Sequence, residues 1–338
     1  MTAVGAVARP AVSRMRGIGP SRDTRTAYLY LAPALLIMAV ITFYPLVFQT
    51  FISFTDFQVA NIQPSAPPPA WVGTSNYERI LKGQLGIPNF DFLRIVLFNL
   101  WWALSNVAIH VVVGVGIAIL LNVQGLRFKG FYRALFILPV VIPPIIVATV
   151  WANMFSRDHG AINEALKLVG ALFKVPPEAF NINWLQQVQD PIAFIPLPLA
   201  YFALLAANTW LGWPLNSVVA TGALQSIPKD LYEAAEMDGA GAWAKFRNVT
   251  MIFLRPAMIP YAIYGFVVTF NLFYLTYFMT GGGPFGRTEL LVTQAYTLVN
   301  AYHLYGVAAA FGVFMFFILL AITIFFNRLT KATASFDT

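Results

Sequence analysis

Three histidines, His110, His159 and His303, and no cysteine are what this chain offers to metal or nucleophile chemistry. The histidines lie too far apart in sequence for a ligand spacing. Without cysteine there is no disulfide, thiolate nucleophile or thiolate metal site. A phosphate-cradling Gly-x-x-x-x-Gly-Lys-Ser/Thr loop is absent, and no Gly-Lys dipeptide occurs anywhere, so ATP hydrolysis by that route is excluded. Paired aspartates, a Ser–His pair and His-Glu-x-x-His are missing from the apolar stretches, and His110 stands alone in one of them, as structural histidines do. What remains is hydrogen bonding in apolar surroundings. Thr269, Asn271 and Tyr274 put hydroxyl and amide groups into an otherwise apolar run. In lipid such groups seek partners on neighbouring helices, on water or on a hydroxyl-rich ligand. Gly212 has no side chain, so a ligand can approach its backbone, and Pro214 frees the carbonyl of Trp210. The expectation is a binding site between two helices, not a catalytic centre.

A second cluster lies in the polar segment 226–260. Ser226 is placed to cap a helix, Pro228 to occupy its first turn, and Asp230 and Glu233 to complement its positive end. The helix runs through Leu231, Tyr232, Ala234, Ala235 and Met237, Gly239 ends it, and Ala242 starts a second helix. Small residues at Ala234, Ala235, Gly239 and Ala240 allow close backbone approach. Two readings fit equally: a surface presented to a cytoplasmic partner, and an amphipathic connector resting on lipid headgroups.

These residues need elements to hold them. Of 338 residues 59% are hydrophobic and 10% charged, which is the composition of a membrane protein. Six charge-free apolar runs, 26–55, 95–126, 134–156, 191–228, 256–286 and 290–327, each exceed the ~20 residues needed to cross the hydrocarbon core. The Pro-rich stretch 57–77 reads as a loop, and the first run is too long for a signal peptide. The net charge of +7 comes from basic residues at the ends of apolar runs, so it reads as orientation and not as nucleic-acid binding. The N-terminus, the 127–133 and 229–255 loops and the C-terminus hold 14 Lys and Arg, and the alternate loops hold 7. By the positive-inside rule both termini face the cytoplasm. The expected chain is an all-α polytopic membrane protein of the inner membrane, with six transmembrane helices. Its tails are 1–26 and 329–338, its transmembrane domain 27–328, and its cytoplasmic loop 226–256. Residues 161–173 suit a short amphipathic helix near the outer surface, with simple packing the commoner role. Pro33, Pro45, Pro139, Pro143, Pro144 and Pro214 kink helices or line a path through the membrane. No Asp, Glu, Lys or Arg lies inside a span, which argues against proton-coupled carriers and voltage sensors.

The stretch Leu231-Tyr232-Glu233-Ala234-Ala235-Glu236-Met237-Asp238-Gly239-Ala240, with Phe246 and Pro256, resembles the EAA loop of binding-protein-dependent ABC permeases, in the variant of the maltose-type carbohydrate importers. The Ile-x-Leu-Pro that follows the loop in that family reads Val249-Thr250-Met251-Ile252 here. Asn208-Thr209-Trp210-Leu211-Gly212-Trp213-Pro214, Thr280-Gly281-Gly282-Gly283-Pro284 with Thr288 and Glu289, and Gly306-Val307-Ala308-Ala309-Ala310 are similar to further signatures of the family. The resemblance runs from about Tyr28 to Arg328.

It implies a type I ABC importer permease fold and a chain that is not itself an enzyme. Its implied partners are a second homologous permease subunit, an ATP-binding cassette ATPase dimer, an extracytoplasmic solute-binding protein and membrane lipid. ATP and Mg would sit on the ATPase, and this chain would bind no cofactor or metal. Tyr232, Glu233, Ala234, Ala235, Asp238 and Gly239 would dock on the ATPase, with Glu233 the charged contact. The resemblance places the sugar against Leu211, Gly212, Leu215, Gly265, Val268, Thr269 and Leu272. Asn271 and Tyr274 could hydrogen-bond it, and Trp213, Phe270 or Phe273 could stack on a pyranose. A basic residue for a phosphorylated substrate is missing, so a neutral di- or oligosaccharide such as maltodextrin or trehalose is favoured. The alternative is a self-sufficient secondary carrier of small neutral solutes.

Overall fold

The computed structural model describes residues 22–330 except 64, 124 and 193. Most of the expected tails therefore lie outside the described residues. The chain divides into two compact units, residues 1–51 and 52–338. In the first, α1 runs over Arg22–Met38, passes through a π-turn at Ala39–Phe43 and continues over Tyr44–Ile52 just into the second unit. Its apolar side chains, Leu36, Ile41 and Val47 among them, are exposed.

The second unit holds α2 (Ser75–Leu81), α3 (Phe92–Asn122), α4 (Lys129–Val141), α5 (Pro144–Met154), α6 (Ala161–Leu172) and α7 (Leu199–Gln225). After them come α8 (Lys229–Met237), α9 (Ala242–Lys245), α10 (Met251–Phe270), α11 (Phe273–Thr280), α12 (Leu291–Asn300) and α13 (Tyr305–Thr330). Among the described residues the only β pairing is an isolated bridge, Thr55 with Trp71.

Four helical stretches are long and apolar enough to cross a membrane: Thr24–Ile52, Phe92–Asn122, Ala242–Thr280 and Tyr305–Thr330. A fifth follows if α4 and α5 count as one span, but they meet at 95°. The run 134–156 was expected as a single helix, and the break has a local cause. Ile142 and Pro143 both precede a proline, which disfavours helical backbone, and both are extended, at ψ 128° and 131°. By length alone α7, with 27 residues, could also cross, but it is not among these apolar stretches. Asn208, Asn216, Ser217, Thr221 and Gln225 lower its apolarity.

Two more runs differ from expectation. Run 290–327 contains α12 and α13 with a break between them. The stretch Ala242–Thr280 starts earlier than its charge-free run. It begins at α9, continues through a π-turn at Phe246–Thr250 into α10, and so carries Lys245, Arg247 and Arg255 near one end.

The centre of the fold is the pair α3 and α7, packed along their length. Close approach needs small residues where backbones cross, and each helix supplies a glycine. A methyl on Gly114 would stand 2.5 Å from Cβ of Asn216, and one on Gly212 would overlap the His110 ring. Hydrogen bonds cross the same seam. Asn208 Nδ2 donates to Asn106 Oδ1 at 2.7 Å, and the Tyr201 hydroxyl donates to Ser105 Oγ at 2.8 Å. Around this pair lie an aromatic cluster at Trp102, Tyr201 and Leu275, and a smaller one at Ala118, Leu224 and Leu254.

Candidate functional site

Three places hold the residues singled out from the sequence. The first is the hairpin of α8 and α9. Pro228 is the N-cap of α8, one position before the first turn where it was expected. Ser226 does not cap this helix either: its hydroxyl donates back to the Ala223 carbonyl at 2.8 Å, closing the end of α7. Gly239 ends α8 as expected. The Ala240 amide donates to Ala235 at 2.9 Å and the Gly239 amide to Glu236 at 3.0 Å, with Gly239 at φ +73°. This is a Schellman closure, which places the residue after the cap in left-handed backbone.

Two contacts hold the hairpin. The Tyr232 hydroxyl meets Thr250 Oγ1 at 2.9 Å, and Lys245 Nζ meets Glu236 Oε1 at 2.6 Å. Tyr232 and Ala235 are half-buried, while Glu233, Ala234, Asp238 and Gly239 are exposed. Met237 and Trp243, at 88% and 72% exposure, add an apolar element to that outer surface.

The second place is the meeting of α7 with α10 and α11, which the sequence suggested for a ligand. Leu211 and Leu272 pack against the same aromatic cluster. Gly212 is not open to a ligand, because the His110 ring fills the space over its backbone. Thr269 and Phe270 are buried, Gly265 is half-buried, and Leu215, Val268 and Tyr274 are exposed. Phe273 lies 4.8 Å from both Tyr277, on which it stacks, and Tyr296, which it meets at a tilt. The surface presented here is therefore Leu215, Val268 and Tyr274, with Gly212 and Thr269 behind it.

Between α10 and α11 the backbone leaves the helix, with Leu272 extended at ψ 94°. A break inside an apolar run exposes carbonyls that protein groups must satisfy. Asn271 turns its amide back to the Val267 carbonyl at 3.0 Å, so it is a capping group of its own helix. The Phe270 carbonyl accepts from Asn99 Nδ2 at 3.0 Å, and Asn99 Oδ1 accepts the Leu291 amide at 2.7 Å. One fully buried asparagine of α3 thus holds the end of α10 and the start of α12. Sequence reasoning passed over Asn99 and Asn106 as anchors, while it read His110 as structural without a partner; the signal of all three was a polar residue recurring within an apolar run.

The third place is the turn 281–290. Arg287 grips a neighbouring loop, donating to the Val188 carbonyl at 3.0 Å and to Asp190 Oδ1 at 2.6 Å. The Glu289 carboxyl is packed against the Gly282 backbone. Burial pushes it up to about 7, against the opposing pull of Thr293 and Arg94.

One cleft, of about 570 Å³, lies along α7 beside α4, lined by Trp213, Ser217, Thr221, Gln225 and Arg133 among others. Among the described residues no group of three or more His, Cys, Asp or Glu is placed to hold a metal ion.

Residues 110–334 match the family described as "Binding-protein-dependent transport system inner membrane component". The chain is 31% identical to the galactooligosaccharides transport system permease protein GanP of Bacillus subtilis, over 90% of this chain and 70% of that one. It is 29% identical to the trehalose/maltose transport system permease protein MalF of Thermococcus litoralis, over 92% of this chain and 95% of that one. Its fold resembles the crystal structure of a bacterial ABC transporter involved in the import of the acidic polysaccharide alginate. The TM-score is 0.72 at 18% identity, covering 93% of this chain and 98% of that one. With the match covering most of the chain, and the hairpin and crossing helices in place, the chain belongs to the family of inner-membrane components of binding-protein-dependent transport systems.

Proposed function

We propose that this chain is the permease subunit of an ATP-driven importer of neutral oligosaccharides. It crosses the membrane six times, through α1, α3, the bent α4–α5 pair, α7, α9–α11 and α13, with both termini in the cytoplasm. A second homologous permease completes the pathway, and an extracytoplasmic solute-binding protein delivers the sugar. A separate ATPase dimer holds ATP and Mg; this chain holds no cofactor. The sugar rests against α7 and α10–α11, at Leu211, Leu215, Gly265, Val268, Asn271 and Leu272, with Gly212 and Thr269 behind them. The sugar relatives support the substrate class, and the absence of basic residues from that surface supports neutrality.

The observation that carries this reading is the α8–α9 hairpin. It is rigidly closed by Gly239, fastened to the base of a crossing helix by Tyr232 and Thr250, and leaves Glu233, Ala234, Asp238 and Met237 exposed. A surface so constructed suits insertion into a cleft of the ATPase, where nucleotide-dependent closure would turn the helix and the spans behind it. Such coupling requires different contacts in the two states.

Gly239→Pro tests it. Proline cannot adopt φ +73° and has no amide for the Glu236 carbonyl. The variant is expected to insert in the membrane but to lose uptake and binding-protein-stimulated ATPase activity in the reconstituted complex. Wild-type stimulation in Gly239→Pro would refute the docking role.

A further inference from the structure

Between the end of α5 and the segment leading to α7 lies a cleft of about 460 Å³ that none of the roles above uses. Its polar lining is Asn153, Ser156, Arg157, Asp158, Asn183 and Gln186, over a floor that includes Phe155 and Leu185. That volume falls within the range of small-molecule sites, roughly 300–1,000 Å³.

The cleft has a fixed frame. Asn163 is fully buried and ties the two walls together. Its Nδ2 donates to the Arg157 carbonyl at 3.1 Å on one wall and to the Ile182 carbonyl at 2.9 Å on the other. Its Oδ1 accepts from Trp184 Nε1 at 2.7 Å. Gly160 folds so tightly onto the Ser156 carbonyl that any side chain there would collide with it. Behind the floor, Phe155 stacks on Trp151 at 5.7 Å and meets Trp184 at a tilt at 5.4 Å.

Within this frame the lining groups keep most of their hydrogen-bonding capacity. Asn153 uses its Nδ2 on the Thr149 carbonyl, and Asn183 uses its Oδ1 on the Gln186 amide. The carbonyl oxygen of Asn153, the amide nitrogen of Asn183, and the side chains of Ser156, Arg157, Asp158 and Gln186 make no hydrogen bond or ion pair among the described residues. Donors and acceptors are thus mixed, and the one guanidinium is balanced by one carboxylate. An anion or a cation alone would use half of such a lining. A ligand whose every hydroxyl both donates and accepts, and which carries an apolar C–H face for the floor, uses all of it.

We infer that this cleft is a second binding site for a neutral oligosaccharide. It holds the sugar at the outer mouth before the sugar reaches the surface on α7 and α10–α11. The inference rests on the sugar-import reading and on the six-span orientation.

Because the chain has no cysteine, one introduced thiol reports on the cleft alone. Ser156→Cys places it in the lining, and Gln186→Cys is a second reporter at an exposed position should the first fold poorly. Leu172→Cys, at an exposed position on α6, is the control. Uptake of a panel of neutral di- and trisaccharides by the assembled transporter, reconstituted with its binding protein, identifies the sugar carried. That sugar is then added to the transporter in nanodiscs without binding protein, and maleimide labelling of this chain is timed.

At about four times the Kd, labelling at position 156 is expected to slow about fivefold, with position 172 unchanged. Asn183→Ala or Asp158→Asn in the same background is expected to abolish the protection. Uptake without protection would overturn the second site and leave the import reading standing, whereas failure to carry any sugar of the panel would overturn both. Protection by sugar-free binding protein alone would make the cleft a protein-docking surface and also overturn the proposal.

Discussion

Gly212 and His110 offer a sharp test of how α3 and α7 are held together. Alanine at an interior helix position is worth about 1 kcal/mol over glycine, so Gly212→Ala would stabilise an open helix face. Here the new methyl overlaps the buried His110 ring, which is clamped between two helices and is not the loose end of a flexible chain. Overpacking of this kind costs about 1–3 kcal/mol, so the net effect is expected to lie between about zero and a loss of about 2 kcal/mol. His110→Ala removes a ring that is 6% exposed and whose Nε2 has no partner among the described residues. Lost packing and the cavity cost about 2–4 kcal/mol, in the range of buried large-to-small changes. In the double variant the alanine methyl occupies part of the space the ring has left. The clash disappears, the helix gain returns, and the double variant is expected to be at least as stable as His110→Ala alone. The coupling energy is then about 1–3 kcal/mol. Thermal unfolding of the four proteins in nanodiscs, followed by tryptophan fluorescence, measures it. Additivity of the two single losses to within about 0.5 kcal/mol would refute the contact.

Asn99→Leu is expected to destabilise by about 2–5 kcal/mol, because it strands both the Phe270 carbonyl and the Leu291 amide. Thermal unfolding checks this, and a loss under about 1 kcal/mol would mean other groups satisfy the break. The Glu289 carboxyl, held up at about 7 by burial, keeps its proton in the folded protein at pH values where the unfolded chain has lost it. Stability is therefore expected to fall as pH rises from about 4.5 to 7 and to level off above, by up to about 3 kcal/mol. Glu289→Gln is expected to flatten that slope in unfolding measurements from pH 5 to 8, and an unchanged slope would place its origin elsewhere.

What the sequence revealed was local. The end of α8 at Gly239 follows from helix-stop chemistry contained within a few residues, and the long apolar runs follow from composition. The breaks in those runs were partly hidden. Pro143 and Pro144 marked the bend between α4 and α5, yet proline kinks and proline breaks look alike in sequence. The break at Leu272 has no proline; it stands because Asn99, far upstream, supplies the missing hydrogen bond. Gly212 shows the same limit. A glycine two residues before a proline looks open to a ligand until the fold brings His110 against it. Ser226 was misread because a serine between two helices can serve the end of one or the start of the other, and only the geometry of the turn decides.

The continuity of α9, its π-turn and α10 has a mechanical consequence. From Ala242 to Phe270 the backbone forms one rod about 43 Å long at 1.5 Å per residue. The hairpin is bolted to one end of it through Tyr232 and Thr250, and the other end stops at Asn99. A tilt of about 10° at the hairpin would displace the far end by about 7 Å if the rod were stiff. It is not uniformly stiff. Pro256, at the middle of the rod, and Pro260, one turn beyond it, each delete a backbone donor, so bending strain concentrates there. The stretch from Tyr261 to Phe270 then moves as a stiff segment. Such a rod transmits rotation better than it transmits thrust, and its compliance sits where two substitutions to alanine could remove it.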